Sequence, residues 1–358
     1  MASLLKKENN PYTLQFSYIP PQYILRKSVT EEIVGDYMRS VPAFRGHFIT
    51  GVRGTGKTVM LAEISRLMSD RKDWIVVDIE NPESNILDSL VRGLYRNSNL
   101  KRMFINAKID LSFLGIGVSI EQSNAVATNE ADAMDFILKV LKKEGKRLLV
   151  TIDEVTYCKQ IAAFSHTLSS YARAGYEIYV LMTGLKENIK AIKNDKSLTF
   201  LYRAKEHVLE SLNITAIIAN YSKVFNIDRE MAEEMAYLTK GYSFAFQTLG
   251  YLYWEALCKN DIKNIDKNEI LTYYDQYLSE FSYEKIWSEI PAKEKKILKG
   301  LAKSETGKVQ EIREIVGINS SEFSVYRERL LERGLICSTE YGYVKFTLPR
   351  FGEFALLN

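Results

Sequence analysis

The chain has 358 residues, 46% of them hydrophobic, so it is long enough to form roughly two or three domains with substantial cores. Its formal net charge of +3 is too small to indicate nucleic-acid binding by bulk electrostatics, although a local basic face is still compatible with it. The three cysteines, Cys158, Cys258 and Cys337, are far apart and odd in number, which favours neither a disulfide framework nor a zinc site.

The amino-terminal residues lack a long apolar segment before a cleavage site, and no apolar run approaches about 18 residues. We therefore expect a soluble cytoplasmic protein with reduced cysteines and no membrane partner. Residues 1 to about 46 contain three prolines and then a helical pattern from Thr30 to Ser40, and they are expected to form a lead-in to the first domain.

Residues 51–58 read Gly-Val-Arg-Gly-Thr-Gly-Lys-Thr, the complete phosphate-binding pattern G-x-x-x-x-G-K-[ST]. Residues 47–50 predict a short buried strand before it, and residues 59–68 have helical spacing after it. Glycines here allow successive backbone N–H groups to surround phosphate oxygens at a helix amino terminus. The alternative is a glycine-rich turn beside a surface lysine.

The pattern predicts a site for ATP or ADP with Mg²⁺, beside which the lead-in packs. Lys57 is expected to reach the β- and γ-phosphates, and Thr58 is expected to ligate Mg²⁺. The predicted nucleotide-binding residues are Gly51, Arg53, Gly54, Thr55, Gly56, Lys57, Thr58 and Val59.

Strands and helices alternate in the next part of the chain. Strands are predicted at residues 74–79, 147–154 and 177–184, and helices at about 84–96, 131–143 and 160–174. Residues 108–121 alternate polar and apolar side chains around two glycines, which predicts a hairpin inserted in the core. The alternation implies a parallel sheet covered on both faces.

An acidic pair ends the strand at 147–154. Asp153 is predicted to hold the Mg²⁺ shell, and Glu154 to accept a proton from, or to orient, the water that attacks the γ-phosphate. An acidic pair at a strand end is also common as a simple turn. Its position downstream of the phosphate loop in a β/α chain favours the catalytic interpretation.

Two further residues belong to the predicted ATPase site. Thr183 ends the following strand, where its hydroxyl could reach between the acidic pair and the γ-phosphate; the alternative is a cap on the turn at Gly184. Arg203 follows Thr183 by about twenty residues, at a rim from which one subunit could offer it to a neighbour's nucleotide. Such an arginine neutralises charge on the transferred phosphoryl group, whereas the alternative is a solvated side chain.

The rest of the chain predicts two more domains. Helical patterns at residues 214–225, 229–238 and 244–258 indicate an all-α segment. Helices at 292–302, 309–316 and 320–333, followed by strands at 335–338 and 343–347, have the order of a winged helix. The predicted fold is an α/β P-loop core (1–208), an all-α lid (209–284) and a winged-helix domain (285–358).

These motifs together resemble an AAA+-type P-loop ATPase, over nearly the whole chain. The segment 241–251 and the winged helix are most similar to bacterial and archaeal ATPases between origin-recognition initiators and STAND signalling ATPases. The chain departs from both groups, because segment 241–251 contains no lid arginine, and Gly241-Tyr242-Ser243 replaces the Gly-x-Pro of STAND proteins.

The predicted winged helix has two candidate targets. If it binds double-stranded DNA, the helix at 320–333 would enter the major groove and the turn at Tyr341-Gly342 would touch a flanking groove or the backbone. Glutamates on the same helix offset much of that attraction, so protein docking is the alternative. The candidate DNA contacts are Arg327, Arg329 and Arg333.

Three functional hypotheses follow. The first is a slow ATPase that acts as a switch, in which Arg203 of a neighbouring subunit assists hydrolysis and the nucleotide state positions the winged helix on DNA. The second is a STAND-like signalling or scaffold ATPase whose nucleotide state controls protein binding. The third is a nucleotide-binding protein that barely hydrolyses ATP.

Overall fold

The computed structural model describes residues 9–15, 19–96, 129–259 and 266–358. The hairpin predicted at residues 108–121 lies outside these ranges. The chain packs as two compact units. We call Lys27–Thr50 with Met60–Val208 the sheet unit, and Met1–Arg26, Gly51–Val59 and Leu209–Asn358 together the helical unit.

The sheet unit contains a five-stranded sheet in the order β2-β3-β4-β1-β5, and every neighbouring pair is parallel. This confirms the predicted parallel sheet. Strands β1 and β4 are buried along their whole length, as expected for strands covered on both faces. Their bounds are β1 Gly46–Thr50, β2 Trp74–Ile79, β3 Arg147–Ile152, β4 Ile178–Gly184 and β5 Lys205–Val208.

Seven helices connect or flank these strands in the described residues. The first turn of α4 is capped by Asn129, whose side chain accepts a hydrogen bond from the Asp132 N–H. Apolar residues of α3 to α5 pack on the strands in one core, which includes Leu90, Ile137 and Phe164. The helices are α1 Lys27–Met38, α2 Lys57–Ser69, α3 Ile86–Arg96, α4 Glu130–Lys143, α5 Lys159–Arg173, α6 Lys186–Asn194 and α7 Thr199–Tyr202.

The helical unit contains the predicted all-α segment. Asn213 and Asp228 cap its first two helices through their side chains, and Asn226 and Lys240 end those helices with φ of 53° and 47°. The elements are α8 Ile214–Phe225, α9 Arg229–Thr239, α10 Ser243–Lys259, α11 Lys267–Leu278, a π-helix at Ser279–Tyr283 and α12 Glu284–Ser288.

The last part of the helical unit follows the element order expected from the sequence, with three helices before an antiparallel hairpin. A single antiparallel bridge between Lys308 and Tyr343 extends the hairpin. The terminal helix was not expected from the sequence. The elements are α13 Ala292–Lys303, α14 Val309–Val316, α15 Ser320–Glu332, β6 Ile336–Ser338, β7 Val344–Phe346 and α16 Phe351–Leu357.

The lid helices α8–α12 and the C-terminal segment 292–358 share one hydrophobic core. The guanidinium of Arg350 donates to both carboxylate oxygens of Asp275, with Nε–Oδ1 at 2.6 Å and Nη2–Oδ2 at 2.5 Å. The buried Tyr283 hydroxyl donates to the Pro349 carbonyl. The lid and the C-terminal segment therefore form one packed body, and the limits predicted at residues 209 and 285 stay predictions.

A pair of buried histidines joins β1 and β5 to α1. The Nδ1 of His47 lies 2.9 Å from the Nε2 of His207, and Asp36 and Glu32 on α1 approach the outer ring nitrogens at 3.3 and 3.6 Å. Burial and then the neighbouring His207 hold the pKa of His47 below its ordinary value, and burial also lowers the pKa of His207. Lys205, which bonds Glu32, opposes protonation of both rings.

We expect the protein to lose stability in mild acid through this pair. A histidine whose folded pKa is depressed binds its proton more readily in the unfolded chain, so stability falls as pH drops below about 6.5. The His47→Gln variant should flatten the pH dependence of the free energy of unfolding between about pH 6.5 and 4 by about 1 to 2 kcal/mol. Urea unfolding across that range measures it.

The control for this experiment is His166→Gln, because His166 is exposed on α5. The interpretation fails if His166→Gln flattens the profile as much as His47→Gln does.

Candidate functional site

The phosphate loop has the backbone geometry that its glycines predict. Gly54 and Gly56 have φ of 76° and 88°, in the left-handed region that other residues resist. The Lys57 side chain is 7% exposed, and its Nζ lies 3.0 Å from the carbonyl oxygens of Gly51 and Val52. The loop therefore holds the lysine ammonium against its own backbone.

A turn of the lid is hydrogen-bonded to the loop. The carbonyl oxygens of residues 53, 54 and 55 accept hydrogen bonds from the Tyr242 hydroxyl (2.7 Å), the Phe244 N–H (3.0 Å) and the Ser243 hydroxyl (2.8 Å). We call Tyr242-Ser243-Phe244 the lid turn. Because three consecutive carbonyls bond to it, the lid turn fixes the orientation of these peptide groups.

Arg26, the residue before α1, is a cation that the sequence analysis missed. Its Nη2 donates to the Thr55 carbonyl at 2.9 Å and to the Glu210 carbonyl at 3.0 Å, and lies 3.2 Å from the Ser243 hydroxyl. Burial lowers the pKa of Arg26 to about 10, which leaves it charged at neutral pH. Segment 241–251 of the lid has no arginine, and Arg26 supplies one at the loop instead.

The Arg53 side chain, which was predicted to contact the nucleotide, forms an ion pair with Glu289. Its Nε and Nη2 donate to Glu289 at 3.2 and 2.9 Å in a bidentate ion pair. Burial opposes ionisation of Glu289, but the bond to Arg53 and the charges of Arg53 and Lys285 outweigh it and lower the pKa. The guanidinium of Arg53 thus connects the loop to the residue after α12, three positions before the C-terminal segment 292–358.

The lid turn reaches the same region by a second route. The Tyr242 hydroxyl also lies 2.7 Å from the hydroxyl of Ser282, which is buried in the π-helix. A π-helix within an α-helical region is rare and often marks a functional position. The loop carbonyl of Arg53, the Tyr242 hydroxyl and Ser282 therefore form one continuous hydrogen-bonded connection.

In the sheet unit, the structure brings together three of the predicted site residues. The Thr183 hydroxyl, 0% exposed, donates to the Asp153 carboxylate and accepts the Glu154 N–H at 3.0 Å. The Val155 N–H donates to the Thr183 carbonyl at 2.7 Å. The ends of β3 and β4 are therefore tied together at the acidic pair, which places Thr183 in contact with Asp153.

Glu154 adopts a strained backbone conformation. Its φ is 50°, in the left-handed region, which costs a residue with a Cβ about 1 kcal/mol or more. Its N–H also bonds the Asp153 carboxylate at 3.1 Å. Strain of this kind is common at functional sites, where it directs a side chain that relaxed backbone would turn elsewhere.

Arg203 lies at the opposite edge of the sheet from the acidic pair. It is exposed and precedes β5, whereas Asp153 and Glu154 follow β3. The strands are parallel, and β3 has six residues, which span about 20 Å at about 3.3 Å each. One copy of the chain therefore does not bring Arg203 together with its own Glu154.

The three predicted DNA-contacting arginines are engaged within the C-terminal segment. The carboxylate of Glu294, 1% exposed on α13, lies 3.2 Å from Arg333 Nε and 4.0 Å from Arg329 Nη1. The Nη2 of Arg327 donates to the Ser338 hydroxyl at 2.7 Å. Exposed side chains of α15 include Arg329 as well as Ser321, Ser324, Val325 and Glu328, so the exposed charges of this helix are of both signs.

The order of the elements and of the motifs along the chain defines the fold. A parallel sheet with a phosphate loop after β1 and an acidic pair after β3, followed by a helical lid, is an α/β P-loop ATPase fold of the AAA+ type. None of the helices in the described part of the chain is long and apolar enough to cross a membrane.

Comparison with solved structures confirms this fold. The chain is similar to the ORC2 protein of Aeropyrum pernix in ADPNP–ADP complexes, with a TM-score of 0.63, 11% identity, and 98% of this chain and 96% of that chain covered. It is also similar to Cdc6p of Pyrobaculum aerophilum, with a TM-score of 0.51, 14% identity, and coverage of 96% and 95%.

Sequence comparison matches a smaller part of the chain than structural comparison does. A family model described as a domain of unknown function (DUF8462) matches residues 280–355. No curated protein matches the sequence significantly.

The strained backbone at Glu154 predicts that glycine at this position does not lower the stability of the protein. Glu154→Gly should leave the free energy of unfolding unchanged or raise it by up to about 1 kcal/mol, because glycine adopts positive φ without strain. The matched change Glu80→Gly, in the exposed residue after β2, should lower it by about 0.5 to 1 kcal/mol. Thermal or urea unfolding of both variants checks this, and equal destabilisation would contradict it.

Proposed function

We propose that the protein binds ATP and Mg²⁺, hydrolyses ATP slowly, and uses the nucleotide state as a switch on its C-terminal segment. The observation that carries the proposal is the bonding of the loop to the lid turn and of Arg53 to Glu289. A change in the loop backbone would therefore be transmitted directly to the lid. The nucleotide complexes of the similar ORC2 protein support ATP and ADP as ligands.

Each phosphate-binding role falls to a group of suitable chemistry. The backbone N–H groups of residues 51–59 would surround the phosphates at the start of α2, where the helix dipole favours anions. Lys57 would leave the carbonyls of Gly51 and Val52 for the β- and γ-phosphates. Because bound phosphates compete with those carbonyls, nucleotide entry would change the contacts of the loop.

The oxygen donors present suit Mg²⁺, which prefers one or two carboxylates, phosphates and water. The Thr58 hydroxyl and the Asp153 carboxylate would hold it, with Thr183 fixing the orientation of Asp153. When bound, the metal ion neutralises charge on the phosphates. The protein's own residues supply the remaining steps.

Glu154 would act as the general base or orient the attacking water. Its carboxylate position is set by the strained backbone and by the Thr183 hydroxyl that accepts its N–H. Since Thr183 contacts both acidic residues, a shift of one would be felt by the other. Thr183 is thus suited to report the γ-phosphate state to the acidic pair.

Arg203 would act in trans, on the nucleotide of a second copy. Its distance from its own acidic pair supports this assignment over a role in the same chain. A head-to-tail contact of this kind forms rings or filaments of identical subunits. Hydrolysis would then require assembly.

The hydrolysis step has a direct test. We expect Glu154→Gln to lower the ATPase rate by about 100-fold or more, because a general base is worth about that much, while ADP affinity stays within about twofold. Glu80→Gln is the charge-matched control. Steady-state phosphate release measures the rate, and an unchanged rate for Glu154→Gln would contradict the proposal.

The trans role of Arg203 is tested in the same assay by mixing. Lys57→Ala and Arg203→Ala should each be inactive alone, and a mixture of the two should regain part of the activity, because mixed neighbours contain one complete site. Full activity of Arg203→Ala, or two inactive variants without recovery on mixing, would exclude action in trans.

The switch predicts that the ion pair at Glu289 transmits the nucleotide state. In the unmodified protein, hydrogen exchange in residues 292–358 should differ between ADP and a non-hydrolysable ATP analogue, and Glu289→Gln should at least halve that difference. Glu340→Gln, an exposed residue of the same segment, is the control. A Glu289→Gln difference equal to that of the unmodified protein would refute transmission through Arg53.

DNA is the first candidate target of the C-terminal segment, on the basis of its winged-helix order of elements. The engagement of Arg329 and Arg333 by Glu294 favours a second candidate, a STAND-like protein-docking role. Steeply salt-dependent DNA binding that changes between ADP and ATP would support the first. Nucleotide-dependent binding of a protein without DNA would support the second.

A further inference from the structure

A cavity lies at the amino edge of the sheet, within the sheet unit. Its volume is about 580 Å³, within the range of sites that hold small ligands. It shares no residue with the phosphate loop. Its lining comes from the loop before β1, from α5 and from α7: Pro42, Ala43, Phe44, Arg45, Gly46, Ser169, Ala172, Arg173, Thr199, Phe200, Arg203 and Ala204.

The charge of this cavity is one-sided. Three arginines line it, and none of the described residues that line it is acidic. Arg45 is already engaged, because it donates to the Tyr176 carbonyl at 2.6 Å and to Glu177 at 3.2 Å. Arg173 and Arg203 are exposed. Among the residues that the structure describes, the Arg173 guanidinium donates to the neutral hydroxyl of Ser170 at 3.2 Å and to no carboxylate.

The apolar part of the lining is equally defined. Phe44 and Phe200 supply two aromatic rings, and Pro42 and Ala172 add apolar surface. Asp36 fixes the loop before β1, since its carboxylate accepts the N–H groups of Ala43 and Phe44 at 2.9 and 3.0 Å. The loop that carries Phe44 is therefore anchored to α1.

We propose that this cavity binds a small organic anion, a phosphate monoester or a carboxylate that also carries an apolar ring or chain. Arg173 and Arg203 would pair with the anionic group, since guanidinium groups bind phosphate and carboxylate in a bidentate manner. Phe44 and Phe200 would contact the apolar part. The proposed site does not depend on the proposed ATPase function, because Arg203 is the one lining residue that the two proposals share.

Arg203 also carries the proposed role in trans. Arg173 is therefore the residue whose replacement tests ligand binding separately from ATP hydrolysis. A ligand bound here would engage the guanidinium that a neighbouring copy would otherwise receive. Arg173→Ala should therefore weaken ligand binding and leave the ATPase rate of ligand-free protein unchanged.

The test is calorimetric titration of the nucleotide-free full chain with phenyl phosphate, benzoate and inorganic phosphate. Phenyl phosphate or benzoate should bind at least about tenfold more tightly than inorganic phosphate, and the better of the two identifies the anionic group. Arg173→Ala should weaken that binding about tenfold or more, which corresponds to about 1.4 kcal/mol. Arg66→Ala, an exposed arginine of α2 paired with Asp70, is the control.

A second variant tests whether binding requires the cavity itself and not only its positive charge. Ala172→Phe fills the cavity while keeping every arginine, and it should abolish phenyl phosphate binding with a cooperative unfolding transition retained. Lys57→Ala should leave phenyl phosphate binding unchanged. The proposal is overturned if neither organic anion binds, if Arg66→Ala weakens binding as much as Arg173→Ala, or if Lys57→Ala removes it.

Discussion

The hydrogen bonding of three consecutive loop carbonyls to the lid turn is the constraint on which the rest of the helical unit depends. A phosphate loop binds anions with its N–H groups, so its carbonyls must point elsewhere and find donors. Here Tyr242, Ser243 and Phe244 supply them. The loop and the lid are consequently one hydrogen-bonded structure, in which neither can change its backbone without the other.

The sheet unit meets a different constraint, the convergence of β3 and β4 on one buried hydroxyl. Thr183 bonds Asp153 and Glu154 at once, and the strained φ of Glu154 is held by that bonding. A relaxed turn would be more stable and would direct the carboxylate differently. The energy stored there is of the order that one hydrogen bond supplies, so a single methyl-for-hydroxyl replacement at Thr183 is enough to disturb it.

Much of this could be predicted from the sequence, because local patterns determine it. The glycines and lysine of residues 51–58 specify a loop, and apolar runs such as 147–152 specify buried strands. The partners of these residues could not be predicted. Arg53 and Glu289 are 236 positions apart, and Arg26 lies 29 positions before Thr55. No periodicity records such pairings. The same holds for Glu294, which lies 3.2 Å from Arg333 and 4.0 Å from Arg329, two arginines that the winged-helix pattern makes candidates for DNA contact.

The core shared by the lid and the C-terminal segment extends beyond the residues that the family model matches. The family model matches residues 280–355, so the amino-terminal limit of the match falls inside the π-helix. The packing continues across that limit, because Arg350 pairs with Asp275 of α11. A fragment cut at residue 280 would lose Asp275 as a partner of Arg350, which would keep Glu353, and it would expose the apolar residues that pack against the lid helices. The residues that the family model matches are therefore fewer than the residues that pack together in this core.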